Sequence, residues 1–354
     1  MTEADRAIIV GINRYPGLSD LDGPEHDAEA FERWVTSPTG GNVPQENVRL
    51  IRSSGYPERG DALKAEPTVE AIQGAVDELL QAAETSQENG TGYRAGRRLY
   101  LYFAGHGFEP QPEQVALLTA NATRRRGYHV AGRIYADYFR RAGIFDEVLL
   151  FMDCCREPLS QIPLYIPPYM MMKSNEAPEK ARWMNAYATK WSRKSRERMV
   201  EGKARGIFTV ALLKGLSGQA RDPVSGDITD ASLADYLYEH MKDPLTPEEL
   251  NDPEIPKQPD IDYDKDPANR ITIVKAPPAA SFPVVFQVPP SAMGKSLTVL
   301  DSRFQTVFET ALSGDRAVTQ LPQGYYLAEI MADRVRVPFQ VPSNEREGST
   351  HVTL

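Results

Sequence analysis

Residues 99–107 read LYLYFAGHG, an apolar run that ends at a glycine and a histidine. Such a run is typical of a strand buried on both faces, as strands of parallel sheets are. Residues 7–12 (AIIVGI) and 148–152 (VLLFM) have the same character. Between the runs, residues 68–83 carry apolar side chains at helical spacing. The alternation predicts an α/β domain with a mostly parallel sheet flanked by helices.

Composition changes along the chain suggest two domains. We expect the α/β domain to span residues 1–275 and to include a mobile linker or activation loop at 157–205, where no clear strand is visible. Residues 244–290 are rich in proline and predict a linker with one short strand at 270–274. Residues 281–354 show period-two segments, which predict a small C-terminal all-β sandwich.

Composition also limits the function. The net charge of -9 argues against a general nucleic-acid binder, since such domains are usually basic. No apolar stretch predicts an export signal or a membrane span. The two cysteines are adjacent and cannot form a loop-closing disulfide, so a cytoplasmic location is expected. The histidines and cysteines lack zinc-site spacings, so we predict no metal and no cofactor.

Two reactive side chains follow apolar strands. His106 follows the run that ends at Ala104, and Cys155 follows the run that ends at Met152. Since ligands bind at the carboxyl ends of parallel strands, both side chains are expected at one rim of the sheet. There an imidazole can activate a thiol and later protonate a leaving amine. The amides of Gly107 and Cys155 are predicted to hold the oxyanion.

Several motifs resemble those of the caspase and metacaspase superfamily of cysteine peptidases. Residues 103–107 (FAGHG) resemble its Ser-Gly-His-Gly block, and residues 153–156 (DCCR) its Asp-Ser/Cys-Cys block. Residues 21–28 (LDGPEHDA) resemble the metacaspase segment Leu-x-Gly-Cys-x-Asn-Asp-Ala. Residues 206–216 resemble the start of the smaller caspase subunit. The resemblance covers about residues 5–275 and implies a caspase-like fold.

The resemblance also implies roles for individual residues. Cys155 occupies the position of the nucleophile, and Cys154 is expected to point into the core. Asp27 and Asp153 match the acids with which metacaspases bind Arg or Lys before the scissile bond. A guanidinium suits two carboxylates because its planar fork bonds them. We therefore predict cleavage of protein substrates after Arg, with Lys second, and expect Arg14 to be a solvated turn residue.

A purely structural role for Asp27 and Asp153 stays open. Asp27 can instead be an acid that favours the N-terminal dipole of a helix, and Asp153 can be a strand-end cap.

A basic stretch at residues 190–205 lies where family members have the linker that is cut on activation. We hypothesise autoprocessing of a zymogen, or cleavage by an upstream activating protease, near one of five residues: Lys190, Arg193, Lys194, Arg196 and Arg198. The alternative is an exposed loop that docks an acidic partner, a regulator or nucleic acid. Many metacaspases need calcium, but residues 109–126 contain no aspartate and end in three arginines, so we expect no calcium dependence.

Three functions remain. The first is a cysteine endopeptidase with Arg or Lys specificity. The second is a catalytically silent caspase-like adaptor, and the third is a thiol enzyme that is not a protease, such as an acyl transferase. The joint presence of His106, Cys155, Asp27 and Asp153 favours the first, since an adaptor needs none of them.

Overall fold

The computed structural model describes residues 4–110, 114–154, 163–170, 181–189, 197–200, 202–222, 225–253, 255–275, 277, 281–302, 304–322, 324–341 and 349–354. The chain divides into two compact units, Met1–Pro277 and Pro278–Leu354. No helix among the described residues is long and apolar enough to cross a membrane.

The first unit alternates strands and helices. Its strands are β1 Arg6–Gly11, β2 Val48–Arg52, β3 Arg98–Gly105, β4 Gly107–Phe108, β5 Ala116–Leu118, β6 His129–Val130, β7 Glu147–Cys154, β8 Arg182–Tyr187, β9 Glu197–Val200, β10 Lys203–Gly206, β11 Ile228–Thr229, β12 Asp260–Tyr263 and β13 Thr272–Val274. Its helices are α1 Pro24–Thr36, α2 Val69–Glu88, α3 Gly132–Ala142, α4 Ile207–Lys214, α5 Asp230–His240 and α6 Pro247–Asn251.

A six-stranded sheet organises this unit, in the order β12-β8-β7-β3-β1-β2. The five strands from β8 to β2 are parallel to their neighbours, and β12 pairs with β8 in the antiparallel direction. Every residue of β3 and of β7 is buried, as their apolar runs predict. The predicted α/β fold with a mostly parallel sheet flanked by helices is therefore confirmed.

The helices cover both faces of the sheet. Alternate side chains of a strand point to opposite faces, so β3 supplies Leu101 and Phe103 to one core and Tyr100 and Tyr102 to the other. The first core also takes buried residues of α2 and α3. The second takes residues of α1, α4 and α5. A side chain at the end of β3 or β7 is therefore surrounded either by α2 and α3 or by α1, α4 and α5, depending on the face to which it points.

The predicted loop at 157–205 is wrong in part, because its residues 182–187 form β8 inside the sheet. Residues 197–200 and 203–206 form the antiparallel hairpin of β9 and β10. The signal for β8 (RWMNAY) is mixed: Trp183 and Tyr187 favour a strand, but the segment has no β-branched residue and contains an asparagine, which strands disfavour. Tertiary packing overrides that preference, since Met184, Asn185 and Ala186 are all buried. The predicted linker at 244–290 likewise contains α6, β12 and β13.

The second unit is all β. Its strands are β14 Ser281–Gln287, β15 Ser296–Leu300, β16 Thr306–Ala311, β17 Arg316–Pro322, β18 Gly324–Ile330, β19 Val335–Val341 and β20 Thr350–Thr353. They form a three-stranded sheet, β17-β14-β20, and a four-stranded sheet, β16-β15-β18-β19. One core joins the sheets through residues such as Phe286 of β14 and Val299 of β15. Strands β16 and β17 were not predicted, because few of their residues are buried, although exposed residues alternate with less exposed ones along both strands.

A buried ion pair ties the start of β3 to β7. The guanidinium of Arg98 lies 2.5 Å from Glu147, and both side chains are almost fully buried. Arg98 also donates to the carbonyl oxygens of Ile273 at 2.8 Å and Thr272 at 2.6 Å. We expect Glu147→Leu to lower the free energy of unfolding by about 3–5 kcal/mol, since the arginine is left buried without its carboxylate.

Denaturant unfolding measures this loss. The matched control is Glu78→Leu, which removes the carboxylate of a half-exposed ion pair with Arg49. Exposed pairs contribute about 0–1 kcal/mol, so the control should change little. Equal effects of the two substitutions would contradict the importance given to the buried pair.

Candidate active site

His106 follows β3 at the carboxyl-end rim of the sheet. The preceding Gly105 has a backbone φ of +152°, which residues with a side chain rarely adopt. A Cβ there would lie 2.4 Å from the hydroxyl of Tyr15. The chain therefore needs glycine at this position to turn out of the strand. That turn brings His106 against the loop that follows β1.

A backbone carbonyl orients the imidazole of His106. Its Nε2 lies 2.8 Å from the carbonyl oxygen of Ser19, with the hydroxyl of the same serine at 3.5 Å. A carbonyl oxygen only accepts hydrogen bonds, so Nε2 carries the proton and donates it to Ser19. In the neutral ring Nδ1 is then the basic nitrogen. The contact sets the tautomer that a general base requires.

Tyr15 holds the backbone beside His106. Its hydroxyl accepts a hydrogen bond from the His106 amide at 3.0 Å and donates one to the carbonyl of Leu118 at 3.0 Å. The two rings meet edge to face with centroids 4.7 Å apart. Neither Tyr15 nor Ser19 was predicted from the sequence. Both act through contacts between distant segments, for which the local sequence carries no signal.

The predicted nucleophile, Cys155, lies outside the described residues. The strand before it ends at Cys154, which is 1% exposed and packs in the core, as expected. A Cβ at Gly107 would lie 2.7 Å from the sulfur of Cys154, so the two residues are in close contact. The register pairs Gly105 with Cys154. Strands β3 and β7 therefore end side by side, which brings His106 and Gly107 to the end of β7.

The direction of the Gly107 amide follows from the pairing of β4 with β5. Gly107 lies opposite Leu117 in the pairing of β4 with β5, and the Leu118 amide donates to the His106 carbonyl at 2.8 Å. In an antiparallel ladder this pattern makes Gly107 and Leu117 a pair without mutual hydrogen bonds. The Gly107 N–H is consequently directed away from β5.

The structure brings the two predicted specificity acids together. Asp27, in the first turn of α1, is 2% exposed, and Asp153, near the end of β7, is 6% exposed. Gly206 lies between them: a Cβ there would be 2.0 Å from Oδ2 of Asp153 and 3.1 Å from Oδ2 of Asp27. Only glycine leaves room for both carboxylates.

Each carboxylate has partners from the segment that begins α4. Oδ2 of Asp27 accepts from the Gly206 amide at 2.6 Å, and its Oδ1 accepts from Nε of Arg205. Oδ2 of Asp153 accepts from the Thr209 hydroxyl at 2.7 Å and from its amide at 3.2 Å. Both carboxylates thus hold a segment distant in sequence, and their role in binding a substrate stays a prediction. Sequence reasoning missed Arg205 and Thr209.

Burial controls the protonation of the acid pair. Desolvation and then the neighbouring carboxylate of Asp153 raise the pKa of Asp27 to about 8, although Arg205 and the Gly206 amide favour the ionised form. Burial also raises the pKa of Tyr102, whose hydroxyl lies 2.7 Å from that of Thr209, well above its ordinary value. The phenol beside the acids is therefore neutral.

Other predicted residues lie elsewhere. Arg198 is in β9, where its Nη1 donates to Glu249 at 2.7 Å and to the carbonyl of Pro244. The remaining processing candidates lie outside the described residues: Lys190, Arg193, Lys194 and Arg196. Arg14 is not a solvated turn residue, because its guanidinium donates to the carbonyls of Ser53 and Tyr56. No group of three or more His, Cys, Asp or Glu side chains in the described ranges could hold a metal ion.

Comparisons with known proteins agree with the motifs. A family model described as the caspase domain matches residues 4–243. A probable protease of a Desulfuromonadales bacterium is 29% identical over 237 residues, which are 60% of this chain and 26% of that protein. The chain thus matches about a quarter of the length of that relative. A solved structure of pro-Sf-caspase-1 is similar with a TM-score of 0.41 and 14% identity, over 74% of this chain and 91% of that one.

The raised pKa of Asp27 predicts a pH-dependent stability. The folded state holds a proton on Asp27 up to about pH 8, whereas the unfolded chain releases it near the ordinary value of 3.8. The contribution of this proton to the free energy of unfolding is therefore complete below pH 3.8 and is lost as the pH rises through 8. One proton changes the free energy of unfolding by up to about 1.4 kcal/mol per pH unit.

We expect Asp27→Asn to flatten the decline in the free energy of unfolding between acidic and alkaline pH. Denaturant unfolding at several pH values measures the slope. The groups that face Asp27 are Asp153, Arg205 and Tyr102, and all three remain in the variant. Asp61→Asn, at an exposed carboxyl group, is the control. An unchanged slope in Asp27→Asn would show that the raised pKa of Asp27 is not the cause of the decline.

Proposed function

Because the chain belongs to the caspase-domain family, we propose that it is a cysteine endopeptidase that cleaves protein substrates after Arg, with Lys second. The observation that carries the proposal is the hydrogen bond from Nε2 of His106 to the Ser19 carbonyl. It leaves Nδ1 as the base, at the rim where the strand before Cys155 ends. A silent adaptor has no need for an imidazole held in one tautomer.

The chemistry follows from this arrangement. Nδ1 of His106 takes the proton of the Cys155 thiol, and the thiolate attacks the carbonyl carbon of the scissile bond. The amides of Gly107 and Cys155 stabilise the negative oxygen of the tetrahedral intermediate. The imidazolium then gives its proton to the leaving amine, and a water molecule hydrolyses the thioester with His106 as base. Throughout, the Ser19 carbonyl stabilises the positive charge on the ring.

The acid pair supports the proposed specificity. Asp27 and Asp153 place two carboxylates around Gly206, and no other described cation than Arg205 forms an ion pair with Asp27. A substrate guanidinium can bond carboxylates with its planar fork, whereas the ammonium of lysine is a single point of charge. We therefore place arginine ahead of lysine. An aspartate side chain would be repelled.

Activation is part of the proposal. Of the five processing candidates, Arg198 is tied to Glu249 within a hairpin, so cleavage there would first require the hairpin to open. Lys190, Arg193, Lys194 and Arg196 are the favoured positions, for autoprocessing or for an upstream protease. A cytoplasmic location and independence from calcium remain predictions. The second unit is proposed to recruit a substrate or a regulator.

A peptide assay tests the function. We expect wild type, after activation, to hydrolyse peptides with Arg before the cleavable bond, Lys peptides more slowly and Asp peptides not at all. Cys155→Ala and His106→Ala should each lose activity by about 10³-fold or more, since the two side chains act as a unit. Cys154→Ala is the matched control and should stay active, because its sulfur packs in the core.

Two results would contradict the proposal. Activity that survives in Cys155→Ala but is lost in Cys154→Ala would overturn the choice of nucleophile. A preference for Asp would overturn the specificity assigned to the acid pair.

Tyr15 gives a second prediction. Tyr15→Phe removes the hydroxyl that links the His106 amide to the Leu118 carbonyl. We expect kcat to fall by about 10-fold with little change in KM, because small misplacements of a catalytic group are costly. Tyr135→Phe is the control: its hydroxyl accepts from Gln73 on the α2 and α3 side of the sheet. An equal loss of kcat in both variants would argue against a positioning role for Tyr15.

A further inference from the structure

The acid pair of Asp27 and Asp153, called the acidic pocket below, already binds a cation from the chain itself. Nε of Arg205 donates to Oδ1 of Asp27, and the side chains are 16% and 2% exposed. This arginine belongs to β10, directly before the glycine that separates the two carboxylates. A guanidinium thus lies against the carboxylate that is proposed to bind the arginine of a substrate.

The charges next to Asp27 bear on how a substrate cation would bind. Among the described residues, Arg205 is the guanidinium that contacts Asp27, Asp153 is the neighbouring carboxylate, and the nearby Tyr102 is neutral. Desolvation raises the pKa of Asp27 most, the carboxylate of Asp153 raises it further, and Arg205 lowers it. A cation that takes the place of Arg205 would therefore regain the same ion pair with Asp27.

Arg205 is the partner of Asp27 that can leave without disturbing the fold. The other partner is the Gly206 amide, which belongs to the backbone at the start of α4. Asp153 is bonded to Thr209, in the first turn of that helix. Among the described partners of the two acids, Arg205 is the one with a long, flexible side chain. Its departure requires rotation of side-chain torsions, while the backbone contacts of both acids persist.

We propose that Arg205 determines the specificity of the pocket by occupying, against Asp27, the position that a substrate guanidinium takes. The inference deepens the proposed function and rests on it. A substrate arginine must displace Arg205, so its own charge contributes little net affinity. Substrates then have to gain affinity from contacts on either side of the arginine. The pocket consequently discriminates against small isolated guanidinium and amidinium compounds and favours extended peptides.

Binding of benzamidine, a small amidinium compound, tests this without catalysis. The variant is Arg205→Gln, and the matched control is Arg198→Gln, which alters an arginine of the same hairpin that pairs with Glu249 instead. We expect Arg205→Gln to bind benzamidine about 10-fold or more tightly than wild type, and the control to bind as wild type does. Calorimetry at about pH 9 keeps Asp27 largely ionised in wild type, whereas in Arg205→Gln the bound amidinium has to replace the cation that lowers the pKa of this group.

An affinity equal to or weaker than that of wild type, in folded Arg205→Gln, would overturn the proposal. We expect Arg205→Gln to fold, because Asp27 can keep a proton when the arginine is absent. If the variant does not fold, nuclear magnetic resonance of the arginine Nε–H groups of wild type replaces the binding experiment. Saturating benzamidine should accelerate solvent exchange of the Arg205 Nε–H. An unchanged exchange rate with benzamidine bound would refute displacement.

Kinetics separates this inference from the proposed function. For Arg peptides, Arg205→Gln should lower KM with kcat nearly unchanged, since only ground-state competition is removed. If wild type hydrolyses Arg peptides but the variant gains neither affinity nor a lower KM, the inference about Arg205 is wrong and the peptidase stands. If wild type and variant hydrolyse nothing while benzamidine still binds the variant more tightly, the displacement stands and the peptidase fails.

Discussion

In the six-stranded sheet, the parallel pairing of β3 with β7 is the constraint on which the site depends. Both strands are buried along their whole length, so their register is fixed by packing on two faces. The register ends with Gly105 opposite Cys154, and the chain leaves both strands at that point. A slip of one residue would exchange the faces of Asp153 and Cys154. The acid would then enter the apolar core and the sulfur the acidic pocket.

Burial of two carboxylates side by side costs free energy. Desolvation disfavours both charges and their proximity disfavours them further. Gly206, Arg205 and Thr209 offset this cost with hydrogen bonds and one positive charge. Arg205 and Gly206 end β10, and Thr209 lies in the first turn of α4, which follows directly. Residues 205–209 thus decide whether the fold tolerates the two acids and how the acids contact a ligand.

Much of the fold could be predicted from sequence because its central strands are apolar runs, and His106 is recognisable because it directly follows one. Strand β8 was missed, since its own residues give a mixed signal and its stability comes from two neighbouring strands. Tyr15 and Ser19 were missed for a related reason. The serine acts through a backbone carbonyl, which any residue has, and the tyrosine through a hydroxyl placed by contacts across the fold. The pairing of Arg205 with Asp27 likewise joins segments far apart in sequence.

The place of β8 has a consequence for a nicked molecule. It pairs with β7 along six residues, from Glu147 opposite Arg182 to Met152 opposite Tyr187, and with β12 on its other side. If the backbone were severed between β7 and β8, each fragment would keep a strand of one continuous sheet. The two pieces would stay associated through buried ladder bonds and a shared core. Such a break would pass unnoticed in size-exclusion chromatography and become visible only when a denaturing gel separates the fragments.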